Sequence, residues 1–357
     1  MKILYLMWID WRWIWQRPQI LASKLALKYD VTVLFPQNVI SRQKMQRNNL
    51  YPDKYKKAYV IPLYDKNLVL QSLMNLVIRC CIGDVKKYDV VWVGHPMFEK
   101  FIPADYAGRI IYDCMDNHAA LSGSAVRGKA VDEEEKRLVS RSDLVFASSS
   151  LLKEKIEKYV SKPGTEVVLV RNGYDFKKIY DIDQGKIKAS YKIGYIGTIS
   201  EWMDYPAVIR SIEECGNIEY HLIGLVSGNN YVRKDKLFYE GVVEHDALYD
   251  KVKDYDCLVM PFMVNDVVLS VDPVKLYEYI SFGKCIISVY YPEIERFGEY
   301  VYFYHTAEEY CRLIRELSLK GFPPKYSKES RDSFLEENTW DERFGKIVES
   351  IGKRING

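Results

Sequence analysis

Residues 267–288 read VVLSVDPVKLYEYISFGKCIIS, and the stretch carries its own punctuation. Asp272 stands where a helix N-cap belongs, Pro273 suits the first helical position, and Gly283 suits the residue that closes a helix. The segment CIISVYY (285–291) that follows is apolar without alternation, as a strand buried on both faces must be. A helix that delivers the chain into a doubly buried strand is one turn of a parallel sheet covered by helices.

The same alternation runs outward from this point. Upstream lie the strand-like runs KILYLMW (2–8), DVTVLFP (30–36), YVIPLY (59–64), DVVWVGHP (89–96), RIIYDCMDN (109–117), DLVFASSS (143–150) and EVVLVRNGYD (166–175). Helical spacing marks 18–29, 130–141 and 151–160, and Pro18 suits a first turn. Residues 176–190 lose the apolar pattern and read as a linker. The alternation restarts at YKIGYIGTI (191–199), with strands expected at 219–226, 237–243, 257–262, 285–291 and 301–305 and helices at 206–215, 245–255, 272–283 and 306–319. A polar hinge, 321–329, leads to a last amphipathic helix, 339–355. The expected domains are therefore 1–180 and 181–325, both doubly wound, with a helical tail at 326–357.

Length and composition fit this plan. A chain of 357 residues suits two domains, and 48% hydrophobic with 28% charged residues is ordinary globular usage. Residues 1–185 hold 29 Lys and Arg against 21 Asp and Glu, whereas the remainder holds 22 against 28. A basic front half suits an anionic partner, and chance surface charge explains the imbalance equally well. Seven cysteines without a C-x-x-C form neither a disulfide framework nor a zinc site, which fits a reducing, cytoplasmic setting. Met1–Met7 is too short for a signal peptide, and no run approaches the roughly 20 apolar residues of a membrane span. The five histidines are dispersed, so neither a metal nor a cofactor is expected, and no nucleic-acid partner is indicated.

Ligands of open α/β sheets bind beyond the carboxyl ends of the strands, so the segments after strands hold the candidates. The N–H groups of Val274 and Lys275 and the helix dipole make an anion site. Lys275 and Glu278 share a helix face, placing a cation near a phosphate and a carboxylate one turn on. Spacing alone equally describes an ordinary amphipathic helix. Gly194 and Gly197 let a diphosphate approach the backbone, or serve close packing, and Thr198 and Ser200 offer hydroxyls. No G-x-G-x-x-G follows a first strand, which argues against a dinucleotide dehydrogenase. Asp113, Asp116 and His118 follow an apolar strand and suit acid–base work, or cap the next turn. His95 reads as structural. Four of seven tryptophans fall in WIDWRWIWQRP (8–18). Their faces suit sugar C–H surfaces and membrane interfaces alike, though any one ring is as well explained by packing beneath a loop, and Arg12 and Arg17 suit phosphate. The basic stretch 42–57 beside the apolar helix 67–82 suits an anionic leaflet, or is a solvated loop beside a core-facing helix.

The pattern D-P-x-K-x-x-E-Y-x-x-x-G-K at 272–284 resembles the donor-site motif of GT-B glycosyltransferases, in particular the family-4-like group of teichuronic-acid-type and surface-polysaccharide transferases. W-x-x-x-x-Q-R-P-Q after the first strand, Y-D-C-M-D-N at 112–117, R-N-G-Y-D at 171–175, G-Y-I-G-T-I-S-E-W-M-D at 194–204 and T-W-D-E-R at 339–343 fall in the expected order. The resemblance implies two tandem Rossmann-like domains facing across a cleft, with the C-terminal helix returning to the first. It implies a transferase moving a sugar from a nucleoside diphosphate, UDP above all, to a surface-polysaccharide or lipid-linked glycan acceptor. Glu278 would hold the ribose, Lys275, Gly197, Thr198 and Ser200 the diphosphate, and the backbone near Val243 the base. Trp11, Trp13, Arg12 and Arg17 would meet the acceptor. Asp116, with His118 as second choice, would be the base if the reaction inverts; a retaining reaction needs none. The expected location is cytoplasmic, peripheral on the inner face of the membrane. The chain departs from the pattern at Ser270, where many members carry a second glutamate, leaving Asp266 and Asp272 as the neighbouring carboxylates. Two alternatives share the architecture: a nucleotide-sugar 2-epimerase, and a catalytically degenerate glycan-binding or scaffold protein.

Overall fold

The computed structural model describes residues 1–38, 52–61, 68–175, 179–244 and 247–355. It divides into two compact units, Met1–Arg171 with Arg343–Gly357, and Asn172–Glu342. The strands of the first unit are β1 (Lys2–Leu6), β2 (Asp30–Asn38), β3 (Tyr55–Val60), β4 (Val90–Val93), β5 (Arg109–Cys114), β6 (Leu144–Ala147) and β7 (Glu166–Leu169). Its helices include α1 (Arg17–Ala26), α2 (Leu68–Ile82), α3 (Ala125–Arg141) and α4 (Ser150–Glu157). The second unit holds β8 (Tyr191–Ile196), α5 (Tyr205–Cys215), β9 (Ile218–Ile223), β10 (Leu237–Gly241), α6 (Leu248–Val252), β11 (Cys257–Met260), α7 (Asp266–Leu269), α8 (Val274–Ser281), β12 (Cys285–Val289), β13 (Tyr302–Tyr304), α9 (Ala307–Ser318) and α10 (Lys328–Glu337). The final helix, α11 (Trp340–Ile355), carries the chain back into the first unit.

Each unit is an all-parallel doubly wound sheet. The orders are β3-β2-β1-β4-β5-β6-β7 and β10-β9-β8-β11-β12-β13. Every residue of β4, β6, β11 and β12 is buried, as the unbroken apolar runs required. β3 is an edge strand and begins earlier than the expected run at 59–64; residues 62–64 lie outside the described residues, as do 42–51 and 245–246 of the other expected segments.

The chain crosses between units at 171/172 and 342/343, where the sequence suggested divisions after 180 and 325. Hydrogen bonds give the reason. The Tyr180 N–H donates to Ser281 O (3.2 Å), and the Tyr326 hydroxyl donates to Lys284 O (2.8 Å). Both flanking segments are thereby tied to the second unit. The helix α10 was not expected, because KESRDSFLEE has too few apolar residues to show a stripe, and its buried members are Arg331 and Leu335.

The carboxyl ends of β8 and β9 meet through glycine. Gly197 (φ +139°) and Gly224 (φ +142°) both lie where L side chains are strained. A Cβ on Gly224 would stand 2.0 Å from Gly197 O. Gly224→Ala should therefore cost about 3 kcal/mol by urea denaturation. Gly216→Ala, at φ +64° with nothing within 4 Å, should cost only about 1 kcal/mol.

Candidate functional site

In each sheet the connections reverse direction once, and a crevice opens at the carboxyl ends there. In the second unit that point lies between β8 and β11; in the first it lies between β1 and β4. The loops after β1 and β8 hold Trp11, Arg12, Trp13, Gly197, Thr198 and Ser200, Arg17 opens α1, Asp116 and His118 follow β5, Val243 follows β10, and Lys275 and Glu278 lie on α8.

In the second unit the Lys275 side chain lies against Gly197. A Cβ at Gly197 would stand 2.1 Å from Lys275 Cε and 2.9 Å from Nζ, so only glycine admits the lysine there. The ammonium sits 5.9 Å from the centroids of both Tyr195 and Phe262. Among the described residues it has no hydrogen-bond or ion-pair partner. Burial pulls it below the ordinary lysine range, and the Glu278 charge pulls it partly back. Ser200 is 6% exposed, and its hydroxyl likewise lacks a partner. Thr198 is half-buried and its carbonyl accepts from the Tyr195 hydroxyl (2.8 Å). Val243 is half-buried in the loop after β10. Glu278 is buried and accepts from the Tyr174 hydroxyl (3.2 Å). Unpartnered buried donors of this kind, at a helix start with a dipole, favour an anionic ligand.

Asp272 does not cap α8. Pro273 occupies the N-cap position, without a side-chain bond, and the helix begins at Val274. The Asp272 carboxylate is instead buried, paired with Arg296 and accepting from the Asn172 N–H (2.6 Å) and the Tyr277 hydroxyl (3.3 Å). A carboxylate so compensated is not free to take the place of the glutamate that Ser270 replaces. Ser270 is itself buried and donates to Val267 O (2.8 Å).

In the first unit the tryptophan run divides. Trp11 is in the core, edge-on to Trp15 at 5.4 Å and 6.2 Å from Phe35. Trp13 is half-buried, and Trp15 is exposed. Arg12 forms a two-pronged pair with Asp10 (2.8 and 3.1 Å). Arg17, 5% exposed, forks onto Asp113 (2.7–3.1 Å) and donates to Val170 O (2.7 Å). Trp11 and Arg17 were expected at the acceptor; the structure uses both for packing, because the first turn of α1 must satisfy Asp113 at the end of β5. Trp8, which the sequence did not single out for a role, stacks on His95 at 5.0 Å, and His95 lies 4.4 Å from His118.

Asp116 and His118 stand together after β5, with the His118 N–H donating to Asp116 O (3.0 Å). The Asp116 side chain makes no hydrogen bond among the described residues. Burial pushes its carboxyl up to about 7, against the pull of Arg17 and with a smaller push from Asp113. Burial, with Lys155 behind it, holds His118 down at about 3, so its ring is neutral at pH 7, and its Nε2 has no partner. Among the described residues no group of three or more His, Cys, Asp or Glu is placed to hold a metal, and no helix is long and apolar enough to cross a membrane.

Two parallel doubly wound units in tandem define the GT-B class of fold. The comparisons agree. No family model matches the chain. It is 22% identical over 363 residues to TuaH of Bacillus subtilis (strain 168), named, itself provisionally, as a teichuronic acid biosynthesis glycosyltransferase; the match covers 95% of this chain and 88% of that one. Sucrose-phosphate synthase of Thermosynechococcus elongatus superposes with TM-score 0.71 at 11% identity, over 98% of both chains. Anabaena HepE, solved with UDP and glucose, superposes with TM-score 0.70 at 13% identity, over 99% of this chain and 100% of that one. The resemblance to GT-B glycosyltransferases thus extends along the whole chain, and toward the teichuronic-acid-type group.

Proposed function

We propose that this protein is a glycosyltransferase that moves a sugar from a nucleoside diphosphate, UDP, to a surface-polysaccharide or lipid-linked glycan acceptor. The observation that carries the reading is Lys275, whose ammonium lies on Gly197 with no hydrogen-bond or ion-pair partner among the described residues; the buried Ser200 hydroxyl, in the same loop as Gly197, lacks one there too. A diphosphate supplies the missing acceptors. The departing phosphate oxygen gains negative charge as the bond to the sugar breaks, and Lys275 and the N–H groups of Val274 and Lys275 stabilise it. Glu278 takes the ribose hydroxyls, and Val243 lies beside the base. The relatives named above, a teichuronic acid transferase and a protein holding UDP and glucose, favour transfer over 2-epimerisation.

A retaining reaction needs no protein base; if the reaction inverts, Asp116 is the group we assign to the acceptor hydroxyl. Its carboxylate accepts the proton as that oxygen bonds to the anomeric carbon, and its elevated titration suits a base at neutral pH. His118 remains neutral beside it and offers a hydrogen bond. Of the residues expected at the acceptor, Trp13 and Arg12 retain surface, and the exposed Trp15 adds to it.

We further assign an anionic leaflet to α2. Val69 (77% exposed), Leu73 (50%) and Leu76 (58%) form one helical stripe, and neither α2 nor the edge strand β3 contains a carboxylate, while β3 carries Lys56 and Lys57. Such a face suits a lipid-linked acceptor.

Three outcomes are expected. Calorimetric titration should show UDP binding in preference to GDP, ADP and CDP, with Lys275→Ala and Glu278→Ala each weakening it about tenfold or more; absence of any nucleotide binding by the wild type would sink the reading. The rate should rise through pH 7, because Asp116 is protonated below about 7 and ionised above it; Asp116→Asn should abolish the rise and lower the rate by about 10²–10⁴. A flat profile would leave Asp116 without a proton to take. Finally, the protein should sediment with vesicles rich in phosphatidylglycerol, and Leu73→Glu with Leu76→Glu should release it; equal sedimentation of the variant removes α2 from the contact.

A further inference from the structure

We propose that Tyr174 is a positioning residue for nucleotide binding, acting through Glu278 to make the site selective for a ribose that keeps both hydroxyls. The inference rests on the reading of Glu278 as the ribose-holding group. The Tyr174 hydroxyl donates to Glu278 Oε1 at 3.2 Å. Glu278 points from α8 on a side chain with three rotatable bonds, so a carboxylate ready for two ribose hydroxyls needs something to fix its plane. A bond to Oε1 restrains that plane, and a carboxylate offers about four lone-pair sites in all.

The backbone around Tyr174 is held against the same structure. Asn172 donates its N–H to Asp272 Oδ2 (2.6 Å) and its side-chain amide to Asp272 O (2.8 Å), two residues before α8 begins. Gly173 is pressed so closely to the chain at 339–340 that a Cβ would meet Trp340 N at 2.8 Å and the Thr339 carbonyl carbon at 2.9 Å. Tyr174 then donates its own N–H to Asn338 O (3.0 Å). Three consecutive residues are thus fixed by α8's entry on one side and the α10–α11 junction on the other. The hydroxyl they aim is a stable donor, because burial and the Glu278 charge push its titration far above the usual tyrosine range. A ring that only filled space there would need neither this hydroxyl nor this anchoring.

The test compares binding of UDP and its 2′,3′-dideoxy analogue to wild type, Tyr174→Phe, Glu278→Ala and the double variant. The phenylalanine keeps the ring that packs on the core of the second unit, and thermal unfolding verifies that it folds. The wild type is expected to prefer UDP. Tyr174→Phe should weaken UDP about five- to tenfold and leave the dideoxy analogue unchanged, since a hydrogen bond to a charged group is lost only where the carboxylate is used. In the Glu278→Ala background the same substitution should change nothing. If the wild type prefers UDP and Tyr174→Phe retains that preference in full, the role of Tyr174 is overturned while Glu278 keeps its own. If both ligands weaken equally, Tyr174 is a packing residue and the proposal falls. If the wild type does not distinguish the ligands, the ribose role of Glu278 fails, and the proposal with it.

Discussion

Where the connections of the second sheet reverse, β8 and β11 pair only at Cys257–Ile193 and Leu258–Gly194, and the strand ends beyond are left without each other. A buried N–H cannot stay unpaired. The Ile196 N–H finds its acceptor in the Tyr279 hydroxyl at 2.8 Å, and that hydroxyl also lies 3.4 Å from Ile196 O and 3.5 Å from Val259 O. One phenol therefore joins α8 to both strands flanking the crevice. With Tyr279 fixed, Lys275 one turn earlier must pass over the end of β8, and the residue beneath it has to be Gly197. The placement of Lys275 over Gly197 follows from a backbone satisfaction problem at this short seam.

The first unit solves a different problem, that of several carboxyls crowded beyond β5. Asp113 is compensated by the buried Arg17 fork. Glu135 receives the Tyr112 hydroxyl (2.5 Å) and Lys155 (2.7 Å). Asp116 shares Arg17's field without its hydrogen bonds, so burial dominates its titration. Breaking a buried pair usually costs more than the pair contributes, which explains why Arg17 is committed to structure rather than offered to a ligand. The aromatic column Trp8, His95 and His118 stands beside these acids, with the ring of His118 kept neutral by the same burial.

The two parallel sheets were legible because doubly buried strands leave continuous apolar runs, and the glycines and the D-P-x-K-x-x-E run pointed to the segments where Lys275 lies against Gly197. What sequence could not supply was direction. Arg17 and Arg12 look alike in WIDWRWIWQRP, yet one turns into the core to meet a carboxylate 96 residues away and the other closes on Asp10 two residues back. Asp272 has the spacing of a cap and the partners of a buried ion-pair centre, because Arg296 reaches it from a later segment. Tyr174 lies within the R-N-G-Y-D motif, but its value depends on Glu278, 104 residues on. Local rules find the elements; long-range pairs decide what each side chain is for.

The first unit is assembled from both ends of the chain, with the second unit, Asn172–Glu342, inserted between them. On a ribosome this sets an order of events. Residues 1–171 emerge first but lack α11, whose residues from Arg343 onward complete their unit. The inserted segment is continuous and can fold as soon as it clears the exit tunnel. The half that is translated first is therefore finished later, and a nascent chain halted after Glu342 holds the whole second unit tethered to a first unit that lacks Arg343–Gly357.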